Sequence, residues 1–299
     1  MSHLVVPIYS MRSYDTGKYS ILKDGNFKLH INRMDWDNDF LVVPDNCSDL
    51  EEFKSLNIIS KDRIIEAKYG INAYETRGTF WENNTKQLDQ IATHFNFTIV
   101  TDLPLYNGKN KFINNFNITK DPNNPRWYID QFINDDIIAV NNAEKTYVLN
   151  QSQKDYLEEC GAKGEIEVST KVVSKKYFDK VGIEEVELPD FDIFFPFRLS
   201  DPAYKFEEVL KLKEKILITD PNDSWKEENN NGNIIKKRFT KRQYYGIIYR
   251  KPKVLYNEDP DKIFHPGLAD FIYFGCDIES PHKIPTLKDV LIENKNYFY

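Results

Sequence analysis

Short apolar runs alternate with longer amphipathic stretches along most of the chain. "HLVVPIY" and "DFLVVP" are rich in branched apolar residues and predict strands. After Pro44, "DNCSDLEEFKSL" opens on capping residues and acids, then repeats Leu50, Phe53 and Leu56 at helical spacing. "NNTKQLDQIATHF" predicts another helix, with Leu88, Ile91, Ala92 and Phe95 on one face, and leads into the strand "FTIVTD". "PRWYIDQFI" starts a helix at Pro125, "KTYVLN" reads as a strand, and "QSQKDYLEECGAKG" as a helix ended by glycine.

After "GEIEVST" comes "KVVSKKYFDKVGIEEVELPD", charged and weakly periodic, where a boundary is expected. A second series follows: strand "FDIFFPF", helix "DPAYKFEEVLKLKE", strands "KILITD", "YYGIIY" and "KVLYNED", helix "GLADFIYFG", and a last helix in "TLKDVLIENKNYFY" capped by Thr286. "PNDSWKEENNNGN" reads as a polar loop. Alternating strands and helices predict parallel sheets covered on both faces. The expected fold is α/β: two Rossmann-like lobes facing a cleft, residues 1–180 and 181–299, with the carboxy-terminal helix packing back. Ligands of such sheets sit beyond the carboxyl ends of the strands, so the residues just after each strand carry the chemistry.

At 299 residues, 40% hydrophobic and 14% aromatic, the chain can bury two cores. The start "MSHLVVPIYSMRSYD" has no basic leader or cleavage site, and no apolar run approaches the ~20 residues of a membrane span. Three scattered cysteines make neither a disulfide framework nor a CxxC metal site. A cytoplasmic monomer is expected. A net charge of -7 argues against a sequence-independent DNA packager but leaves room for a local basic face. Abundant Asn, Lys, Ile and Tyr suit an AT-rich genome, such as many phages have.

"FDIFFPF" is apolar on both alternations, so Arg198 emerges at the carboxyl end of a central strand. Ser200 and Asp201 are placed to cap the next helix, with Pro202 at its first position and Lys205 about a turn in. A guanidinium, helix amides and an ammonium converge there on a site for an anion with several oxygens, such as a diphosphate. Neither GxxxxGK[ST] nor a GxGxxG after a strand occurs, which disfavours P-loop NTPases and nicotinamide dehydrogenases. A second anion element is "FHPGLADFIYFGCDIESP": His265 and Gly267 precede an apolar helix whose first turn carries Asp270. A glycine there lets phosphate approach the amides, whereas the plainer reading makes His265 a cap and Gly267 a turn.

The Arg198-to-Lys205 element followed by the His-Pro-Gly helix start resembles the donor half of GT-B glycosyltransferases. "FFPFRLSDPAYK" with "EDPDKIFHPGLADFIYFGC" further resembles the phage enzymes that glycosylate modified bases in DNA, those of T-even-like phages. The likeness covers about residues 186 to 290. The commoner GT-B pattern has an acid later in this helix, near where Tyr273 stands. The resemblance implies a nucleotide-sugar, UDP-linked, as co-substrate. Arg198, Lys205 and Ser200, with His265, Gly267 and Asp270, would hold its diphosphate, with no cofactor or metal required. It also implies a hydroxymethylated base in double-stranded phage DNA as acceptor, inside the infected host cell.

Transfer onto a hydroxyl needs a base, for which the carboxylates are Asp102, after "FTIV", and Glu75, in "GINAYETRGTFWEN" beside Arg77. The loop "SMRSYDTGKYS" offers Arg12, Tyr14 and Lys18 to an acceptor. "IIKKRFTKRQYYGIIYRKPK" interleaves Lys237, Arg238, Lys241 and Arg242 with aromatic residues, as phosphate contact and base stacking require, or forms a solvated face. The rivals are a metal-dependent transferase using Asp35, Asp37 and Asp39 of "MDWDNDF", a transferase acting on glycans or small molecules, and a noncatalytic nucleic-acid-binding protein.

Overall fold

The computed structural model describes residues 2–7, 18–67, 90–102, 110–113, 133–199, 204–220, 225, 232–261 and 264–293. Its first sheet has seven strands: β1 (His3–Val6), β2 (Phe40–Pro44), β3 (Ile64–Ala67), β4 (Thr98–Thr101), β5 (Asn110–Ile113), β6 (Lys145–Val148) and β7 (Ile166–Val168). Their order is β3-β2-β1-β4-β5-β6-β7, and neighbours run parallel. Helices α1 (Gly25–Arg33), α2 (Leu50–Ser55), α3 (Ile133–Asn142) and α4 (Gln151–Glu159) join them, and residues 90–95 are also helical. Helix α5 (Lys175–Val181) leads to the second sheet.

That sheet holds β8 (Ile193–Phe195), β9 (Ile216–Ile218), β10 (Ile234–Lys236), β11 (Lys253–Leu255) and β12 (Asp277–Glu279), with helices α6 (Phe206–Val209), α7 (Lys241–Tyr249), α8 (Pro266–Phe274) and α9 (Leu287–Val290). The order is β10-β9-β8-β11-β12, again parallel. Both orders reverse beside the first strand of their series, between β1 and β4 and between β8 and β11. A ligand crevice opens at such a reversal. The two-lobe α/β architecture is the expected one, and the central strands β1, β4, β8 and β9 are buried throughout.

Several local expectations change. "YYGIIY" is helix, not strand. Thr240 Oγ1 accepts from Gln243 N (3.2 Å) and Gln243 Oε1 accepts from Thr240 N (3.1 Å), so a capping box starts α7 despite the β-favouring residues. A Cβ on Gly246 would come within 2.0 Å of Glu184 O, so only glycine lets α7 press this close to the chain. Helix α6 begins after Lys205, whose φ of 49° is left-handed, and Lys205 therefore precedes the helix instead of lying a turn inside it. Helix α1 and strands β3 and β5 were not predicted, and α5 forms within the stretch read as weakly periodic.

The stretch after β7 is held from two sides. Buried Arg33, at the end of α1, donates from Nε to Lys171 O (3.0 Å) and from Nη2 to Ser169 O (2.9 Å). The carboxy-terminal segment returns to the first lobe: Val172 N and Val173 N donate to Val290 O, and Ile292 N donates to Val173 O. The last helix stops at Val290, after a Thr286–Asp289 capping box. Helix α5 bridges both sides: Lys176 Nζ lies 4.0 Å from the Trp36 ring, and Phe178 stacks on Tyr273 at 4.3 Å.

Candidate active site

At the reversal of the second sheet, the chain leaves β8 through Phe197 and Arg198 and returns through Tyr204 and Lys205. Phe197 and Tyr204 are buried and stack at 4.8 Å. The rings of Phe197 and Tyr204 lie 6.4 Å and 6.0 Å from that of His265, and Tyr256 closes on Phe197 at 5.5 Å. Asn257 Nδ2 donates to Tyr204 O (3.2 Å) and fixes the returning strand. Arg198 and Lys205, the chain neighbours of two of these rings, are exposed. Burying rings beneath charged neighbours is how a chain fixes cations on a water-facing surface.

His265 is the N-cap of α8: its Nδ1 accepts from Gly267 N at 3.1 Å. Any ligand contact from this ring therefore falls to Nε2. A Cβ on Gly267 would sit 2.8 Å from that Nδ1, so glycine is what lets the imidazole fold over the helix end. His265 and Gly267 thus come together, with the chain neighbours of Arg198 and Lys205 packed beside His265, while Ser200 lies outside the described residues.

Asp270 has a different partner. It is buried one turn along α8 and forms an ion pair with Lys28 Nζ of α1, which also donates to Pro266 O (3.3 Å) at the first position of the same helix. The amino lobe therefore touches the very end of the helix that carries His265 and Gly267. Burial pushes the Lys28 ammonium below its ordinary value, against the pull of the Asp270 charge. Lys28 had no predicted element, because the polar sequence "GNFKLHINR" hides its apolar stripe.

Asp102 ends β4 as expected and has no exposed surface. Its Oδ1 lies 3.6 Å from Nε2 of His30 on α1, equally buried, so it faces that imidazole. Glu75, Arg77, Arg12 and Tyr14 lie outside the described residues, and Lys18 is exposed beside Tyr19, which bridges to Cys47.

A polar cleft of about 360 Å³ opens between the lobes. Ser20, Leu22, Lys23, Ser48, Asp49 and Glu52 line one side, and Arg238, Phe239, Thr240, Lys241 and Gln243 the other. Lys237 instead reaches back to Glu187 O (3.4 Å), and Arg242 lies against Gly182 of the linker. Of the remaining basic segment, Lys236 pairs with Asp220 (3.1 Å), Arg250 donates to Val186 O (2.7 Å) and Lys253 pairs with Glu279 (2.6 Å). The segment is a strand, a helix and a strand, and its cations point to several different places.

The acidic turn Asp35–Asp39 serves the fold: Asp39 Oδ1 accepts from His3 N (2.9 Å) and Oδ2 from Asp35 N (2.8 Å), and Asp35 Oδ2 accepts from Asn38 Nδ2. Among the described residues no group of three or more metal-ligating side chains is brought together. Nor is any helix of the described residues long and apolar enough to cross a membrane.

No protein-family model matches the sequence, and no curated protein matches it. Among solved structures, a sucrose-phosphate synthase from Thermosynechococcus elongatus aligns with a TM-score of 0.60 at 11% identity, over 93% of this chain and 81% of that one. A UDP-glucosyltransferase from Polygonum tinctorium, capable of glucosylating indoxyl, aligns with a TM-score of 0.49 at 8% identity, over 96% of this chain and 81% of its own. The first likeness identifies the architecture as the two-lobe GT-B arrangement of glycosyltransferases.

Proposed function

We propose that the protein is a glycosyltransferase that moves a sugar from a UDP-linked donor onto a hydroxyl group held between the lobes. Residues 1–180 form the acceptor lobe and residues 181–299 the donor lobe. The observation that supports this reading is that Phe197 and Tyr204, the chain neighbours of Arg198 and Lys205, lie with their rings beside the His265 cap of α8, at the reversal between β8 and β11.

The acceptor oxygen forms a bond to the anomeric carbon of the sugar as the bond from that carbon to the diphosphate oxygen breaks. The electron pair of the broken bond leaves with the nucleoside diphosphate, and the acceptor proton passes to a base. Arg198 and Lys205 stand where the leaving group gains charge, and the positive amino-terminal end of the α8 dipole adds to the same field. Protein cations take the charge in this scheme, and no divalent ion is assigned a part. The base is a carboxylate of the acceptor lobe, Asp102 acting through His30 or Glu75.

A hydroxymethylated base in DNA is the narrower acceptor reading. It is supported by Arg238 and Lys241 at the cleft rim and by the resemblance of the donor half to phage DNA glycosyltransferases. Mass spectrometry of UDP-sugars incubated with hydroxymethylated DNA, plain DNA and free sugars separates the cases. A sugar mass added to hydroxymethylated DNA alone supports the narrow reading, and one added only to a small molecule removes it. Absence of transfer together with absence of donor binding by calorimetry would overturn the enzyme reading.

A further inference from the structure

We propose that the acceptor taken into the inter-lobe cleft carries a phosphate group, bound by Lys23, Arg238 and Lys241. The inference rests on the transferase reading for the word acceptor, while the anion site stands on the cleft itself.

Three cations and two carboxylates line the cavity, and they are not equivalent. Asp49 is already engaged: its Oδ2 accepts from Ser20 Oγ (2.7 Å) and Leu22 N (3.0 Å), and its Oδ1 from Ile21 N (2.8 Å). Its charge serves the loop that forms the wall. Glu52 is exposed on the first turn of α2 and has water for company. Lys241 is the unusual group. It is half-buried, its Nζ lies 4.9 Å from each of the Tyr244 and Tyr245 rings, and among the described residues no carboxylate comes within ion-pair distance of it.

Around that ammonium stand Lys28 of α1 and Lys23 before it, opposed by Asp270 of α8 and Asp24, which caps α1 through Asn26 N and Phe27 N. Lys28 and Asp270 already satisfy each other. Lys241 has ring faces beside it and carboxylates only beyond ion-pair distance, and an ammonium in that setting is stabilised by an anion from outside. Burial pushes it down to about 8, against the pull of Asp270, with Lys28 and Lys23 adding to the shift. The cavity volume suits a small polar molecule. A phosphate monoester on a sugar and a backbone phosphate beside an extruded nucleotide present the same dianionic or monoanionic oxygens, so the chemistry is shared and the source is decided by experiment.

The test is calorimetric titration of the full chain with inorganic phosphate, glucose 6-phosphate, glucose, UDP-glucose and a short hydroxymethylated oligonucleotide. Lys23→Ala and Arg238→Ala, both at exposed positions, serve as variants. The proposal expects glucose 6-phosphate or the oligonucleotide to bind in competition with inorganic phosphate, each variant weakening that binding about tenfold. It also expects UDP-glucose affinity to stay within a factor of about two in both variants. Competition by glucose 6-phosphate alone assigns a phosphorylated sugar, and by the oligonucleotide alone a nucleic-acid phosphate. Equal binding of glucose and glucose 6-phosphate with no oligonucleotide binding, or unchanged phosphate affinity in both variants, overturns the proposal. So does a parallel loss of UDP-glucose, which would assign these cations to the donor. Phosphate binding that follows the variants while UDP-glucose fails to bind would sink the transferase reading and leave the anion site standing.

Discussion

Lys28 of the first lobe and Asp270 of the second form a buried ion pair across the lobe interface, at the helix whose first residues include Gly267. Removing one partner leaves the other charged in a dry site, which typically costs ~3–5 kcal/mol. Asp270→Asn is therefore expected to lower stability by about that amount in chemical denaturation. The double variant Lys28→Met with Asp270→Leu should recover most of the loss, because no lone charge remains. A double variant as unstable as the sum of the singles would mean that the two residues act independently.

Arg198→Ala and Lys205→Ala should each weaken UDP-glucose binding by about 1.5–3 kcal/mol, the worth of a charge-assisted contact. Lys205 offers a control, since its left-handed φ of 49° is one that glycine adopts without strain. Lys205→Gly should hold or raise the melting temperature while still losing donor affinity. Donor binding unaffected by all three changes would remove the diphosphate assignment.

Gly267→Ala brings a Cβ to within 2.8 Å of His265 Nδ1 and must displace the imidazole. Losing the cap is expected to cost about 0.5–2 kcal/mol. UDP-glucose affinity should fall with it, because the ring and the helix end move together. A destabilised variant with wild-type donor affinity would restrict His265 to its capping role.

Asp102→Asn keeps the shape of a side chain that faces His30, and general-base loss typically costs ~10²–10⁴-fold in turnover. His30→Gln should produce a matching loss if the carboxylate acts through the imidazole. Should both variants turn over normally while Glu75→Gln is dead, the role belongs to Glu75.

Lys241 gives a pH dependence of known sign. Its folded-state pKa lies below the ordinary lysine value, so below about pH 8 the cost of burying the charge is carried in full. Between about 8 and the ordinary value the folded chain releases its proton first, and the cost is lifted. Stability relative to Lys241→Met should therefore rise across that window, as measured by denaturation from pH 7 to 10. The shift at Lys28 is present in both proteins and cancels in the difference. An anion in the cleft favours the charged form, so phosphate affinity should fall as pH rises through the same range.

The alternation of apolar strands with amphipathic helices was enough to predict two parallel sheets, because a strand buried on both faces is apolar along its run, as "IFF" and "LVV" are. It also placed Arg198 beyond a strand end and His265 before a helix, since chain order alone tells which residue follows a strand, whereas Lys205, expected a turn inside a helix, precedes it. What it misread were segments whose burial has another cause. Helix α1 buries Lys28, His30, Asn32 and Arg33 alongside Phe27, Leu29 and Ile31 because distant segments close over it, Asp270 of the second lobe on Lys28, Asp102 on His30 and residues 169–174 on Asn32 and Arg33, and a polar residue buried by a distant segment breaks no local pattern that a reader can see. "YYGIIY" carries the composition of a strand, yet Thr240 and Gln243 cap it as a helix that fits against Glu184 only through Gly246. The cations of the basic segment look alike in one dimension. Folding sends Lys237 to Glu187, Arg242 to the linker, and Arg238 with Lys241 to the cleft, because successive side chains of the connection after β10 and of the first turn of α7 leave the backbone in different directions. The residue that ends a strand was thus determined by the sequence, whereas the Lys28–Asp270 pair and the gathering of Lys23 and Arg238 around one cavity join residues more than two hundred positions apart in the chain and exist only once the two lobes are packed together.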